Sequence, residues 1–231
     1  MTEAAPAYDL WAANYDQQLG NLMLDLDEQI FSSLLANTSV KNKTVVDVGC
    51  GTGRHWQKIM QEKPARLIGF DVSRKMLNRL KEKFFTAETY LSTGYMMPEI
   101  KDDSVDLIIS TLTIAHIEKF EKAFTEWKRV LKINGDMILT DYHPEALARG
   151  AKRTFLHKGK IVSIKNYIHS TNKIRLIAEQ FGFEEIRFTE KKIDDSVRSY
   201  YEKQHALHLF EQYKNTPIIY GIHLKNTNDP S

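Results

Sequence analysis

The sequence has very little cysteine and no long apolar run. Cys50 is the only cysteine among 231 residues, which excludes an intramolecular disulfide framework and any cysteine-rich metal site. No apolar stretch approaches the ~18 residues that a membrane span requires, and the N-terminal residues do not have the pattern of a secretory signal. We therefore expect a cytoplasmic protein that has no membrane partner.

Net charge is also small, and glycine and proline are scarce. The formal net charge of +2 gives no general attraction to nucleic acid. With 11 glycines, 6 prolines, 42% hydrophobic and 27% charged residues, the composition is that of an ordinary globular protein. This length fits one domain that buries a full core without crosslinks. We expect no nucleic-acid partner and a single domain over residues 1–231.

The most informative stretch is TVVDVGCGTGRH at residues 44–55. Its first five residues form a short, apolar, β-branched run, which favours a buried strand. The glycine-rich sequence GCGTG follows at residues 49–53, and apolar residues then resume at helical spacing from Trp56. Glycine lets a backbone approach a ligand closely, and a helix N-terminus offers unpaired N–H groups. This strand, turn and helix predict a small-molecule site.

Strands and helices alternate along the rest of the chain. Strands are predicted at residues 65–73, 89–92, 104–110 and 136–141, and helices at residues 24–35, 73–84 and 116–132. Later elements are a strand or half-hairpin at 159–167, a helix at 171–181, strands at 184–188 and 218–224, and a polar helical stretch at 195–214. The alternation implies a parallel sheet with helices on both faces.

An aromatic cluster precedes the first strand. Tyr8, Trp11 and Tyr15 recur at helical spacing, which fits a core-facing stripe and a lid over a ligand equally well. Because residues 1–43 must cross an edge of the sheet to reach the first strand, we predict that they form a helical lid.

Three strand ends carry distinctive residues. Open α/β sheets bind ligands outside the carboxyl ends of their strands. Here those ends are followed by the glycine turn, by Asp71, and by Thr111 and Leu112. Asp71 lies 22 positions after Gly49 (71 − 49), near the ~20-residue offset at which a carboxylate meets ribose hydroxyls. The pattern predicts an adenosine-type ligand and leaves open whether it is a dinucleotide or something smaller.

Four motifs then resemble a known family. VVDVGCGTG, GFDVS, DDSVDLIIS and WKRVLKINGDMILTD, in this order within residues 45–141, are similar to those of the class I S-adenosylmethionine-dependent methyltransferases. The third glycine of a dinucleotide fingerprint would fall at Arg54, which argues against an oxidoreductase. The resemblance implies an α/β, Rossmann-like, mostly parallel seven-stranded sheet sandwiched by helices, with the last strand antiparallel. It also implies S-adenosylmethionine as cofactor.

The resemblance assigns cofactor-binding residues. Gly49, Cys50 and Gly51 would lie against the methionine moiety, with Cys50 chosen for its small size. Asp71 would hold the ribose hydroxyls. At Thr93, family members often have an acidic residue that binds the adenine amine. The whole predicted set is Tyr15, Asp47, Gly49, Cys50, Gly51, His55, Asp71, Val72, Met76, Gly94, Tyr95, Met96, Thr111 and Leu112.

Methyl transfer sets further requirements. The acceptor atom must lie ~3 Å from the methyl group, in line with the leaving sulfur. An aromatic face near the sulfonium, from Tyr8 or Tyr15, would add cation–π stabilisation. Where the acceptor carries a proton, a base must take it. His116 and His143 follow the fourth and fifth strands and are the predicted catalytic residues, although a local hydrogen-bonding role fits each of them too.

The predicted function is therefore methyl transfer from S-adenosylmethionine to O, N or C of a small-molecule acceptor. Residues 142–170 and 190–216 are predicted to be inserts that shape the acceptor pocket. The alternatives are a methyltransferase acting on protein or RNA, and an S-adenosylmethionine-binding protein without turnover. The sequence shows no metal-ligand set, and it leaves the acceptor and the oligomeric state open.

Overall fold

The computed structural model describes residues 1–18 and 20–227 of the chain. Within them the strands are β1 Thr44–Val48, β2 Arg66–Asp71, β3 Glu88–Leu91, β4 Val105–Thr111, β5 Leu131–Tyr142, β6 Thr154–His157, β7 Lys160–Ser163, β8 Phe183–Lys192 and β9 Pro217–Asn226. The α-helices are α1 Ala4–Trp11, α2 Leu22–Leu35, α3 Trp56–Gln61, α4 Arg74–Lys83, α5 Phe120–Val130, α6 Pro144–Ala148, α7 Thr171–Gln180, α8 Arg198–Lys203 and α9 Leu207–Tyr213. Short 3-10 helices cover Tyr15–Gln17, Ile114–His116 and Asp195–Val197.

Seven strands form one sheet in the order β3-β2-β1-β4-β5-β9-β8. The first five are mutually parallel, and β9 runs antiparallel to both of its neighbours, β5 and β8. β6 and β7 form a separate antiparallel hairpin. The prediction of a Rossmann-like, mostly parallel seven-stranded sheet whose last strand is antiparallel is confirmed.

Both faces of the sheet are buried under helices. Val45 and Val46 point to opposite faces of β1, as alternation along a strand requires, and both are fully buried. On the Val46 side, α5 and α7 cover the sheet, whereas α2 covers the Val45 side. Burial of both faces explains why the parallel strands read as continuous apolar runs.

The helix predicted at residues 116–132 is shorter than expected at both ends. His116 belongs to a preceding 3-10 turn, and α5 begins at Phe120. At the other end Leu131 already pairs with Val105 in the sheet, so β5 begins before the Asn-Gly sequence at 134–135. That sequence lies in an irregularity within β5, with Asn134 in the left-handed region at φ 60°. The predicted end of the helix was wrong because Leu131 continues the helical spacing of α5, although it is a strand residue in the structure.

Two later elements also differ from the prediction. The strand or half-hairpin expected at 159–167 is β7, the second half of a hairpin whose first half, β6, was not predicted. The helical stretch at 195–214 is split into a 3-10 turn and two short helices. The break between α8 and α9 includes His205 in the left-handed region at φ 52°. None of the helices within 1–18 and 20–227 is long and apolar enough to cross a membrane.

Trp127 joins the core to the loop after β3. Its side chain is fully buried in α5, and its indole Nε1 donates to the Gly94 carbonyl at 2.8 Å. We predict that Trp127→Ala lowers the free energy of unfolding by about 3–5 kcal/mol, because it removes a large buried side chain. Trp127→Phe should lower it by about 1–3 kcal/mol, because the carbonyl loses its donor.

Urea denaturation measures both effects. Lys122→Ala, an exposed substitution on the same helix, is the control and should change stability by no more than about 0.5 kcal/mol. A Trp127→Ala variant as stable as this control would contradict the packing described for α5.

Candidate active site

The glycine turn after β1 is fixed on one side and open on the other. The N–H groups of Gly49 and Cys50 both donate to the Phe70 carbonyl of β2, at 2.7 and 3.1 Å. A Cβ on Gly49 (φ 75°) would lie 2.0 Å from Thr113 Oγ1, so only glycine fits there. A Cβ on Gly51 (φ 54°) would meet nothing within 4 Å. The turn is therefore held against neighbouring loops at Gly49 and borders open space at Gly51.

Asp71, at the end of β2, ties this turn to the start of α4. Its Oδ2 accepts from the Gly51 N–H and its Oδ1 from the Ser73 N–H, each at 2.8 Å. A carboxylate oxygen has two lone pairs, so each oxygen retains one for a further donor. Burial raises the pKa of Asp71 to about 6, although the Ser73 and Gly51 N–H groups that donate to the carboxylate act in the opposite direction. The side chain can thus accept from two hydroxyls at once when it is ionised.

A pocket of about 630 Å³, partly open to solvent, lies over these strand ends. It is lined by Ala4, Tyr8, Tyr15, Val48, Gly49, Gly51, Asp71, Val72, Met76, Ser92, Thr93, Gly94, Thr111, Leu112, Thr113, His116 and Ile117. Among these, Asp71 is the only carboxylate. A smaller cavity of about 290 Å³ shares four of these residues and adds Asp47, Cys50, Thr52, Arg54 and His55.

The two cavities bring together most of the residues that the sequence predicted to bind a cofactor. Tyr95 and Met96 are the exceptions, since they line neither cavity. Tyr95 packs against the core, and Met96 is exposed while its carbonyl accepts from the Ser92 hydroxyl at 2.6 Å. Ser92 and Thr93 line the pocket in their place.

Two buried acidic side chains, Asp47 and Cys50, lie in the smaller cavity. Burial raises the pKa of Asp47 to about 6, although the Trp56 indole donates to its carboxylate at 2.8 Å. Burial also raises the pKa of the Cys50 thiol well above its usual range, so this side chain stays protonated at neutral pH. Cys50 therefore serves the turn as a small apolar group rather than as a nucleophile.

Arg54 brings a cation to the smaller cavity. Its guanidinium pairs with Asp27 of α2, a fully buried carboxylate that also contacts Thr140 and lies 3.1 Å from His55 Nε2. In the sequence, Arg54 is informative only as evidence against a dinucleotide. Its partner Asp27 lies in an amphipathic helix, where no motif indicated a role at the site.

The N-terminal aromatic residues divide between core and pocket. Trp11 is buried and stacks on Phe155 of β6, with ring centroids 4.6 Å apart. Tyr8 and Tyr15 line the pocket. Burial raises the pKa of both phenols above their ordinary values, so each presents a neutral ring and hydroxyl to a ligand. The core interpretation therefore holds for Trp11, and a lid over a ligand stays a prediction for Tyr8 and Tyr15.

His116 lies at the pocket in a buried polar cluster. Its Nδ1 donates to the Lys165 carbonyl at 3.1 Å, which leaves Nε2 as the acceptor. Arg153 Nη1 and the Tyr8 hydroxyl, 2.9 Å away, both contact that Nε2. Burial, together with the charge of Arg153, lowers the pKa of His116 well below its usual range. His116 is neutral at physiological pH, and its Nε2 lone pair already contacts Arg153 and Tyr8.

Arg153 is a further residue of this site that no sequence motif indicated. It is buried beside β6, where its Nη1 donates to the Leu112 carbonyl at 2.6 Å and its Nη2 to Asp141 Oδ1 at 2.7 Å. It lies in the irregular segment between β5 and β7, and only the folded structure brings it to Tyr8 and His116.

His143 is placed differently from His116. It lies at the end of β5 and lines neither of the two cavities. Its Nδ1 accepts from the Glu145 N–H at 3.2 Å and so caps α6, and its Nε2 lies 3.6 Å from a Glu190 oxygen. These contacts are those of a local structural residue.

A larger cleft of about 1640 Å³, partly open to solvent, lies at the end of β5. We call it the tyrosine cleft. It is lined by Gln18, Gly20, Asn21, Leu22, Met23, Tyr142, Ala146, Gly150, Ala151, Lys152, Thr154, Ile193, Tyr200, Tyr201, Gln204, Leu209, Tyr213 and Ile218. The segment between α1 and α2 contributes to the pocket through Tyr15 and to the cleft through Gln18. The two spaces therefore share one wall.

Comparisons with known proteins agree with this geometry. Residues 46–139 match the model of a methyltransferase domain family. The chain is 26% identical over 219 residues to the biotin biosynthesis bifunctional protein BioHC of Teredinibacter turnerae, covering 88% of this chain and 36% of that protein. It is 28% identical over 140 residues to the malonyl-[acyl-carrier protein] O-methyltransferase of Hamiltonella defensa, covering 60% and 52% of the two chains. The chain thus spans about a third to a half of the length of these relatives.

A solved structure supports the fold. An S-adenosylmethionine dependent methyltransferase from Mesorhizobium loti superimposes with a TM-score of 0.66 at 17% identity, covering 84% of this chain and 96% of that one. Together with the family match over residues 46–139, this confirms what the four motifs predicted. Residues 46–139 thus match a methyltransferase domain, and the sheet has the fold of an S-adenosylmethionine-dependent methyltransferase.

Proposed function

We propose that the chain transfers a methyl group from S-adenosylmethionine to a small-molecule acceptor. The arrangement of Asp71 carries this proposal. Its carboxylate is held by Gly51 and Ser73 and keeps one lone pair free on each oxygen at the pocket. That is the acceptor pair which a ribose diol requires.

The other lining residues fit the rest of the cofactor. Val72 and Met76 offer apolar contacts beside Asp71, where an adenine ring would pack, and the backbone near Gly94 offers polar groups. Gly49 and Gly51 leave room for the methionine tail, and Arg54 supplies a cation at the smaller cavity. When bound, S-adenosylmethionine supplies a methyl group on a positively charged sulfur, which is the source of its reactivity.

The chain's own contribution is positioning. The rings of Tyr8 and Tyr15 face the pocket as neutral aromatic groups and would stabilise a nearby positive charge. We propose that His116 orients Tyr8 and Arg153 at the acceptor side of the pocket. For His116 to act as a base, its Nε2 would first have to give up the contact with Arg153. A histidine base stays a prediction. Of the two candidates, His116 is better placed than His143, because it lies at the pocket.

The tyrosine cleft is the proposed acceptor site. Residues from both segments that the sequence predicted to shape the acceptor pocket line it, including Lys152 and Thr154 from 142–170 and Tyr200 and Tyr201 from 190–216. A concave, largely apolar space of this kind suits a small molecule better than a flat macromolecular surface. The relative in Hamiltonella defensa, by its name, methylates a malonyl group carried by a protein, which supports transfer to a metabolite-like group here.

Asp71→Asn should weaken S-adenosylmethionine binding about 10- to 100-fold, on the order of 1.5–3 kcal/mol, because it removes a charged acceptor for two hydroxyls. Isothermal titration calorimetry measures the change. Asp9→Asn is the matched control, since Asp9 accepts from the Ser73 hydroxyl at 2.6 Å but does not line the pocket. It should leave the affinity within about twofold of the wild type. No detectable binding to the wild type would refute the proposed function.

Cofactor affinity should also fall as the pH is lowered from about 7 to about 5. Burial raises the pKa of Asp71 to about 6, so the ionised acceptor is lost in this range. Because folding raises the pKa, ionised Asp71 destabilises the ligand-free protein above pH ~6. This destabilisation diminishes as the pH falls toward the pKa of an ordinary aspartate. Calorimetry across the range measures the slope.

Asp71→Asn should reduce that slope. It should not abolish it, because Asp47 at the smaller cavity also has a pKa of about 6. An affinity that is as pH-dependent in Asp71→Asn as in the wild type would show that Asp71 is not the group that titrates.

Substitution of the two histidines separates their roles. His116→Ala should lower the rate of labelled methyl transfer into a small-molecule extract while leaving cofactor affinity unchanged, because His116 contacts Tyr8 and Arg153. His143→Ala should retain the rate and lose about 1 kcal/mol of stability through loss of the α6 cap. A base role for His116 requires that its variant also lose the acidic limb of the pH–rate profile. Equal wild-type rates in both variants would discard a histidine base.

A further inference from the structure

The tyrosine cleft has an apolar and aromatic lining. Four tyrosines contribute to it: Tyr142, Tyr200, Tyr201 and Tyr213. Aliphatic side chains fill the spaces between them, and these are Leu22, Met23, Ala146, Ala151, Ile193, Leu209 and Ile218. Such surfaces bind flat or extended apolar groups through contact area, and tyrosine adds a polar tip at low conformational cost.

Lys152 is the only charged residue in this lining. It is exposed, and it has no ion-pair partner within residues 1–18 and 20–227. The cleft lining described here includes no carboxylate. The ammonium group therefore gives the cleft a positive charge that the protein does not neutralise.

The neighbouring charges outside the lining are already engaged. The carboxylate of Asp25 accepts from the Tyr200 hydroxyl at 2.8 Å. The guanidinium of Arg149 contacts Thr216, donates to the Gln212 carbonyl at 3.1 Å, and lies over the Tyr213 ring. Lys152 is thus the cation that remains available to a ligand in the cleft.

We propose that the tyrosine cleft binds an organic anion with an apolar, ring-containing body, and that the methyl acceptor belongs to this class. Only the statement about the methyl acceptor rests on the proposed function. The ring system is held by the tyrosines and aliphatic side chains, and the anionic group by Lys152. A protonated amine is disfavoured, because it would meet the like charge of Lys152 and the cleft lining offers no carboxylate to offset it.

The cleft also has a structural connection to the cofactor pocket. Tyr142 lies in its wall, and its ring packs against the Arg153 guanidinium at 4.4 Å from the centroid. Arg153 in turn contacts Tyr8 and His116, which line the cofactor pocket. A ligand seated against Tyr142 is therefore adjacent to the side chains that border the cofactor.

A pair of fluorescent probes with one shared body tests the cleft. 8-Anilinonaphthalene-1-sulfonate carries an anionic group, and N-phenyl-1-naphthylamine has the same rings without it. Lys152→Met should weaken binding of the sulfonate about fivefold or more and leave the neutral probe almost unchanged, because only the charge-assisted contact is lost. Ala151→Phe, which fills the cleft without adding charge, should weaken binding of both probes.

Lys160→Met is the matched control, because Lys160 is an exposed lysine of β7 outside the cleft lining. It should leave both probes unaffected. Equal weakening of the two probes by Lys152→Met, or sulfonate binding that is insensitive to both Lys152→Met and Ala151→Phe, would overturn the assignment of the cleft.

Fractionation of a labelled small-molecule extract tests the acceptor class. Products retained by both an anion exchanger and a reversed-phase resin, and reduced by Lys152→Met, are the expected result. Products confined to cationic or neutral fractions would overturn the acceptor class while leaving methyl transfer intact. Failure of the wild type to bind S-adenosylmethionine would instead refute the proposed function, and the probe pair would still decide what the cleft binds.

Discussion

The carboxylate of Asp71 is the point on which the geometry of the site depends. It accepts at the same time from the glycine turn after β1 and from the first residue before α4. These two segments come from neighbouring parallel strands, whose carboxyl ends meet at one edge of the sheet. The interaction therefore sets the spacing between the glycine loop and helix α4, which border the pocket on two sides. The remaining walls are built around that fixed distance.

A second buried charge, that of Arg153, joins the walls that come from distant parts of the chain. Asp141 neutralises it from the end of β5, and its Nη1 contacts Tyr8, His116 and the Leu112 carbonyl. A buried cation is tolerated only when it is paired and hydrogen-bonded in this way. The same set of contacts holds His116 neutral. The electrostatic requirement of one arginine thus determines what the neighbouring histidine can do.

The parts of the site that follow strand ends were predictable from the sequence. Gly49, Gly51 and Asp71 have local causes, because the turn needs positive φ and the carboxylate follows its strand at a fixed offset. Arg153 and Asp27 were not predictable, since each owes its role to a pairing across the fold. The α5–β5 boundary was wrong because Leu131 satisfies helical and strand periodicity alike. Tyr95 and Met96 were placed by position in a motif, and the chain turns them away from the pocket.

The contacts that close the site differ greatly in the length of chain they span. Gly51 and Asp71 are 20 residues apart, whereas Tyr8 and Arg153 are 145 residues apart. By loop-closure entropy, the longer contact costs about 2 kcal/mol more to form. The Asp71 side of the pocket can therefore be complete while the Tyr8 wall is still open, both late in folding and in local opening of the native state. Access to the pocket is in this way tied to the contact between Tyr8 and Arg153.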